Sequence, residues 1–250
     1  MPTNPAESAP PSADTSVFNP KQIAAERAVT YIQDGMTVGL GTGSTTAYAI
    51  AALGRRIQDE GLRLRCLATS LATAELACAR QIPLLDWDEA VQFDLTIDGA
   101  DEVDPRFHLI KGGGGALVRE KLVAAATAHE IIIVDPGKVK TTLGAHPVPC
   151  AIVPWAWPST LARLETGFPC RAVLRRAPDG SPFVSDDSLF VADLHFDGPL
   201  ADPAALERAL NATLGVVECG LFIHLCHHLI VGYPDGRLEE RTAPSFYQSP

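Results

Sequence analysis

The chain has 250 residues, 46% of them apolar and 20% charged. That is enough apolar material for one or two globular domains, and no apolar run approaches the roughly 18 residues that a membrane-spanning helix needs. A formal net charge of −10 at pH 7 argues against a nucleic-acid or acidic-membrane partner, since neither is drawn to an acidic surface. A small anionic ligand remains compatible with it, provided that isolated cations such as Lys21, Lys111 and Lys138 gather locally.

Residues 1–16 are rich in Pro, Ala and Ser, without a basic start or an apolar stretch. They read as a disordered leader, not as a secretory signal. Cys66, Cys78, Cys150, Cys170, Cys219 and Cys226 are scattered with no CxxC pair, which points to a reduced, cytoplasmic protein. Strand and helix patterns then alternate. "TVGLG" (37–41) is a buried strand and "TAYAIAALGRRIQDEG" a helix; "LRLRCLATS" is a strand ending in small hydroxyl residues, and "ATAELACAR" a helix. "FDLTIDGAD" is a strand running into an acidic turn, "FHLIK" a short apolar strand and "ALVREKLVAAATAHE" a largely buried helix. "IIIVD" (131–135) is the continuous β-branched run of a central parallel strand. Such alternation predicts a mostly parallel, Rossmann-like sheet with helices on both faces.

The pattern changes near Val148. "CAIVPWA", "PSTLARLETG", two strands within "CRAVLRRAPDGSPFVSDDSLFVADLHF", "DPAALERALNATLG" and "VVECGLF" give the order β-α-β-β-α-β. That is the order of a ferredoxin-like α+β domain. "HLIVGYPDGRLEERT" reads as a closing hairpin that returns to the first domain. The expected organisation is a leader at 1–16, an α/β catalytic domain from 17–147 and 223–250, and a smaller ferredoxin-like domain at 148–222.

Three loops carry chemistry, and each follows a strand, where open parallel sheets bind ligands. "GLGTGSTT" (39–46) lies between a strand and a helix start, so free N–H groups with hydroxyls from Thr42, Ser44, Thr45 and Thr46 suit a phosphate. It lacks the Gly-Lys of a Walker A loop, and Thr46 stands where GxGxxG requires its third glycine. A tight turn with a helix cap is the plainer alternative. "DGADEVD" (98–104) offers Asp98 and Asp101 to sugar hydroxyls; its rivals are a metal site, at a spacing unlike a calcium loop, and a solvated acidic turn. "KGGGGALVREK" (111–121) places four glycines between Lys111 and a helix that opens with Arg119, Glu120 and Lys121. So many glycines imply a close backbone approach or unusual φ values, at a high entropic cost. Glu120 then faces either a cleft or, with its charged neighbours, water.

Together "GLGTGST", "DGADEVD" and "KGGGGALVREK", in this order, resemble the signature loops of ribose-5-phosphate isomerase, type A. The resemblance runs from about Lys21 through "VDPGK" (134–138) and resumes at "GVVECGLF" (215–222). It implies that Thr42, Gly43, Ser44 and Thr45 hold the phosphate or adjoining sugar. Asp98, Gly99, Ala100 and Asp101 line the sugar site with Lys111, Gly112, Gly113 and Gly114. Glu120 matches the general base, Lys138 a substrate-binding lysine and Lys21 a further phosphate contact. No metal or organic cofactor is implied, and the assembly implied is a homodimer or a tetramer built from dimers. The chain departs from the pattern in its leader and in "FIHLCHHLIVG" (222–232). There His224, Cys226, His227 and His228 invite a zinc reading, which strand alternation opposes by sending His227 and His228 to opposite faces.

The implied chemistry interconverts D-ribose 5-phosphate and D-ribulose 5-phosphate through an enediolate. One carboxylate of modestly raised pKa moves a proton between C2 and C1. Lys111 and the glycine amides are candidates to stabilise the oxyanion, and Asp98 to open the furanose ring. Two other readings share the architecture: a non-catalytic sugar-phosphate sensor, which has no need of Glu120, and a CoA-transferase-like enzyme with a glutamate nucleophile.

Overall fold

The computed structural model describes residues 18–89 and 92–244; the leader at 1–16 lies outside them. Helix α1 (Pro20–Val29) starts where Asn19 accepts the Lys21 and Gln22 N–H groups, with Pro20 at a position whose N–H needs no partner. Strand β1 (Thr37–Leu40), α2 (Thr46–Glu60), β2 (Arg65–Ala68), α3 (Leu71–Cys78) and β3 (Leu95–Asp98) then alternate as the sequence predicts. Two short strands, β4 (Glu102–Val103) and β5 (Leu109–Ile110), precede α4 (Leu117–Ala125) and β6 (Glu130–Val134).

Helix α4 is shorter and less buried than expected. It stops at Ala125 because Phe93 pins the next residues, donating to the Ala126 carbonyl (2.9 Å) and accepting from the Ala128 N–H (2.8 Å). Glu130 opens β6 instead of closing the helix, and Leu122 is 67% exposed.

The second half forms β7 (Val148–Ile152), α5 (Trp157–Gly167), β8 (Cys170–Leu174), β9 (Phe190–Phe196), α6 (Pro203–Asn211) and β10 (Val216–Cys219). These four strands make an antiparallel sheet in the order β10-β7-β9-β8, the ferredoxin-like arrangement. Strand β11 (Leu221–Phe222) follows, and then the hairpin β12 (His228–Gly232) and β13 (Leu238–Thr242). The main sheet runs β13-β12-β6-β3-β1-β2, parallel throughout except for the edge strand β13. Every residue of β6 and β12 is buried, as strands covered on both faces require.

The segment "VVECGLF", expected as one strand, serves two sheets. Strand β10 ends in the small sheet, while β11 joins β5 and β4 in a three-stranded antiparallel sheet. Gly220 is the joint: its N–H donates to the Pro149 carbonyl (2.7 Å) and its carbonyl accepts from the Lys111 N–H (2.9 Å). A side chain there would collide with the Lys111 backbone oxygen.

Candidate active site

Strands β6, β3 and β1 are neighbours, with Leu40 opposite Ile97 and Asp98 opposite Ile132, so their carboxyl ends form one rim. The loops after β1 and β3 and the short 3₁₀ turn Pro136–Lys138 after β6 meet there. Lys111 arrives by another route, because β5 belongs to the antiparallel three-stranded sheet and not to the parallel one. The rim borders an open cleft lined by Lys21, Thr42, Gly43, Ser44, Thr45, Gly99, Ala100, Asp101, Lys111, Gly112, Gly113, Gly114, Glu120 and Lys138. Three loops separated by tens of residues therefore converge.

Asp98 is the exception. It is 1% exposed and lies behind the cleft wall, accepting Thr42 N–H (3.1 Å) and Gly99 N–H (2.7 Å) on Oδ1, with Oδ2 3.0 Å from the Lys111 ammonium. Gly41 has to be glycine because a Cβ there would overlap this carboxyl group. Lys111, 2% exposed, also donates to the Gly99 carbonyl (2.6 Å) and to Glu120 Oε1 (3.1 Å). Its three protons thus have three acceptors inside the protein, so Lys111 has none to spare for an oxyanion. Burial alone would lower its pKa, but Asp98 and Glu120 hold it above the ordinary lysine range.

Glu120 sits in the first turn of α4, where the helix dipole favours a carboxylate, and is only 5% exposed. Its Oε2 has no hydrogen-bond partner among the described residues. Burial pushes the carboxyl up, Lys111 pulls it back, Asp98 adds to the rise, and the group settles at about 8. The solvated-face alternative for residues 119–121 does not hold. Arg119 donates to Asp187 (2.7 Å), while Lys121, 9% exposed, donates to Glu218 (2.7 Å) and lies 5.0 Å from the Phe222 ring centroid.

The glycine run wraps around Asp101. Gly113 donates its N–H to Asp101 Oδ2 (2.8 Å), and a Cβ on Gly113 would lie 2.8 Å from Asp101 Oδ1. Gly112 has φ +99°, a left-handed value that other residues adopt only with strain. The N–H groups of Gly112 and Gly114 have no acceptor among the described residues.

At the other end of the cleft Lys21 donates to Ser44 Oγ (2.9 Å). Thr45 precedes α2 without capping it; the Ala47 and Tyr48 N–H groups donate to the Gly43 and Thr45 carbonyls (3.0 and 3.1 Å), while the Thr45 hydroxyl and the N–H groups of Ser44, Thr45 and Thr46 have no partner among the described residues. Thr42 differs from expectation: its hydroxyl is 2.8 Å from Thr69 Oγ1 and donates to Ser70 Oγ (2.8 Å). Thr73 Oγ1 donates in turn to the Gly41 carbonyl (2.8 Å). The hydroxyls of "LATS" therefore brace the loop at 41–46 from behind. Thr46, 1% exposed, likewise turns back toward the Thr42 carbonyl (3.4 Å).

The acidic loop does not assemble a metal cage. Glu102 accepts the Gly144 and His146 N–H groups (2.8 and 2.7 Å) and Asp104 those of Arg106 and His108 (2.8 and 2.9 Å), so its carboxylates diverge. Nor do the histidines converge: His227 Nδ1 accepts the Glu130 N–H (2.9 Å), while His228 Nε2 lies 3.0 Å from Glu240. Among the described residues, one group of three metal-type ligands comes close together, Glu207, Glu218 and Cys219, and Lys121 already occupies its carboxylates.

Sequence reasoning missed two groups. Glu130 is 2% exposed, its Oε2 is without a partner, and burial and then Asp98 raise its pKa well above the usual carboxylate range. Arg175 reaches the glycine run from the small sheet, donating to the Gly112 and Gly113 carbonyls (both 3.0 Å). Nothing in "LRRA" distinguishes Arg175 from Arg176, so no local signal marks it.

The profile of the family Ribose 5-phosphate isomerase A (phosphoriboisomerase A) matches residues 65–236. A ribose-5-phosphate isomerase A from Synechococcus sp. (strain JA-3-3Ab) is 48% identical over 218 residues, 86% of this chain and 94% of that protein. A solved D-ribose-5-phosphate isomerase in complex with phospho-erythronic acid is 35% identical, with a TM-score of 0.86 over 90% of this chain and 100% of that one. The ribose 5-phosphate isomerase from Plasmodium falciparum is 34% identical, with a TM-score of 0.85 over 89% of this chain and 97% of that one. With the profile match and these relatives spanning most of its length, the chain belongs to the ribose 5-phosphate isomerase A family.

Proposed function

We propose that the cleft carries out the reaction of this family, the interconversion of D-ribose 5-phosphate and D-ribulose 5-phosphate, with Glu120 as the base. The observation that carries this is a buried glutamate with one oxygen held by Lys111 and the other, Oε2, unpaired at the cleft. In the open-chain aldose, Oε2 takes the C2 proton, and the C2–H electrons form the C1–C2 double bond while charge moves onto O1. Returning that proton to C1, with a proton passing from O2 to O1, gives the ketose. The glutamate ends as it began.

The remaining roles follow from which groups are uncommitted. The Gly112 and Gly114 amides are offered to the developing oxyanion, while Lys111 holds Glu120 in place and offsets the charge of two buried carboxylates. Asp101 is the second cleft carboxylate, with Oδ1 outside any hydrogen bond of the described residues, so ring opening is assigned to it and Asp98 acts through Lys111. Lys21, Ser44, Thr45, Lys138 and the α2 N-terminus take the phosphate. This remote anchor lets binding energy orient C1 and C2. A sensor would need neither the unpaired Glu120 oxygen nor its lysine partner. Proton transfer by Glu120 requires no metal or organic cofactor.

The domain division at 148 is supported by the four-stranded sheet lying wholly between Val148 and Cys219, and the pairing of β11 with β5 favours placing its second boundary at Gly220 in place of 222. A homodimer or dimer-based tetramer is supported by a surface depression in which the exposed side chains of Trp87 and Leu122 come together with Leu67 and Phe93. Six free cysteines support a reducing cytoplasmic setting. The deciding experiment incubates the purified protein with ribose 5-phosphate and EDTA and assays ribulose 5-phosphate. Absence of product would overturn the reading.

A further inference from the structure

We propose that Arg175 is a positioning residue that sets two peptide planes of the glycine run, seating the Gly113 N–H on Asp101 and aiming the Gly114 N–H into the reaction site. Arg175 follows β8 in the small sheet and does not line the cleft. Its Nε and Nη2 donate to Asp193 of β9 (2.9 and 2.5 Å), leaving Nη1 to bridge the carbonyls of Gly112 and Gly113. Phe183 packs beneath the same loop: the guanidinium lies 5.7 Å from its ring centroid, and a Cβ on Gly115 would fall 2.5 Å from the ring.

The consequence follows from peptide planarity. In a trans peptide the C=O and the N–H of the next residue point in opposite directions and turn together. Holding the Gly112 carbonyl outward turns the Gly113 N–H inward, where Asp101 accepts it (2.8 Å). Holding the Gly113 carbonyl outward turns the Gly114 N–H inward by the same rule, and that N–H has no acceptor among the described residues. Glycines have no side chains to fix these planes; the Gly112 carbonyl also accepts the Gly115 N–H within the loop (2.9 Å), whereas the Gly113 carbonyl has Arg175 alone as its partner among the described residues. The guanidinium also polarises both peptides and strengthens the far N–H donors. The forked guanidinium grips both Asp193 oxygens and two carbonyls in one plane; the three protons of a lysine fall short of those four acceptors.

This inference rests on the reading that glycine-run amides stabilise the enediolate, and the test separates the two. Arg175→Ala and Arg175→Lys are compared with wild type, Glu120→Gln and Arg176→Ala, the last removing an exposed neighbour whose guanidinium reaches the Gly180 carbonyl and not the glycine run. Both Arg175 variants should lose about 10²-fold in kcat, the scale of losing an oxyanion donor, with KM shifted no more than about threefold. Affinity for phospho-erythronic acid, whose carboxylate stands in for the enediolate oxygens, should fall with kcat, while affinity for inorganic phosphate stays. Millimolar guanidinium should restore activity to Arg175→Ala but not to Glu120→Gln. Asp193→Asn, which keeps size but loosens the fork, gives an intermediate loss and covers the case in which Arg175→Ala does not fold. Normal kcat in the Arg175 variants beside an inactive Glu120→Gln would overturn this inference alone. So would a loss that tracks inorganic-phosphate affinity and resists guanidinium. Normal turnover in Glu120→Gln would instead overturn the reading beneath it.

Discussion

Lys111 and Glu120, nine residues apart in the chain, one just after β5 of the three-stranded sheet and the other on helix α4, meet with Nζ 3.1 Å from Oε1. Asp98 closes on the same ammonium from the parallel sheet, at 3.0 Å. One buried cation therefore serves two buried carboxylates, an arrangement that folding alone would not favour, because desolvating charges is costly. Its chemical result is a carboxyl held near neutrality with one oxygen left over.

Glu120→Gln should leave folding and substrate affinity nearly unchanged while turnover falls by ~10²–10⁴, as loss of a general base implies. Deuterium exchange from heavy water into substrate should stop in the same variant. Turnover within about a tenth of wild type would return the role of base to another carboxylate, with Asp101 first in line.

Ring opening separates Asp101 from Glu120. Ribulose 5-phosphate is acyclic, so exchange of its C1 proton with heavy water needs Glu120 but no ring opening. Asp101→Asn should slow turnover of ribose 5-phosphate while sparing that exchange. Asp98→Asn should depress both, through Lys111. Equal loss of both reactions in Asp101→Asn would count against its assignment.

The pH dependence has a definite sign. A base acts only when deprotonated, and Glu120 is raised to about 8 by burial against the opposing pull of Lys111. kcat/KM should therefore climb as pH rises and level off above the pKa of Glu120 in the free enzyme. A profile flat from pH 6 upward would mean that Glu120 titrates in the ordinary carboxylate range.

Lys111→Met should destabilise the fold, by about 3–5 kcal/mol, because it strands Asp98 and Glu120 without a counter-charge. Chemical denaturation of the variant measures this. The loss should shrink as pH falls, because protonation discharges Glu120, whose pKa burial raises. A pH-independent loss would point to packing and not to charge.

Lys138→Ala and Thr45→Val should act at the phosphate. KM should rise about tenfold or more for Lys138→Ala, the scale of a charged hydrogen bond of ~1.5–3 kcal/mol, with smaller change in kcat. Unphosphorylated ribose should be a very poor substrate. Comparable efficiency for ribose and ribose 5-phosphate would remove the phosphate assignment.

Much of this protein was legible in its linear order. The β-branched run at 131–134, the alternation before Val148 and the β-α-β-β-α-β order after it predict both sheets, because strand and helix periodicities are local properties. Loop composition likewise marks the phosphate and sugar segments, since free amides, hydroxyls and carboxylates state their chemistry without reference to partners. What a side chain faces is not local. Asp98 and Asp101 stand three residues apart in one acidic turn, yet one is sealed behind Lys111 and the other lines the cleft. Thr42 and Thr45 share one loop, and only the fold turns the Thr42 hydroxyl back toward Thr69 and Ser70. Residues 119–121 look like a wet face until Asp187 claims Arg119, Lys111 claims Glu120 and Glu218 claims Lys121. Arg175 is the plainest case, since its contact with Gly112 and Gly113 spans more than sixty positions and two sheets. Burial and partner choice depend on distances between segments far apart in the chain, which the tertiary structure alone sets.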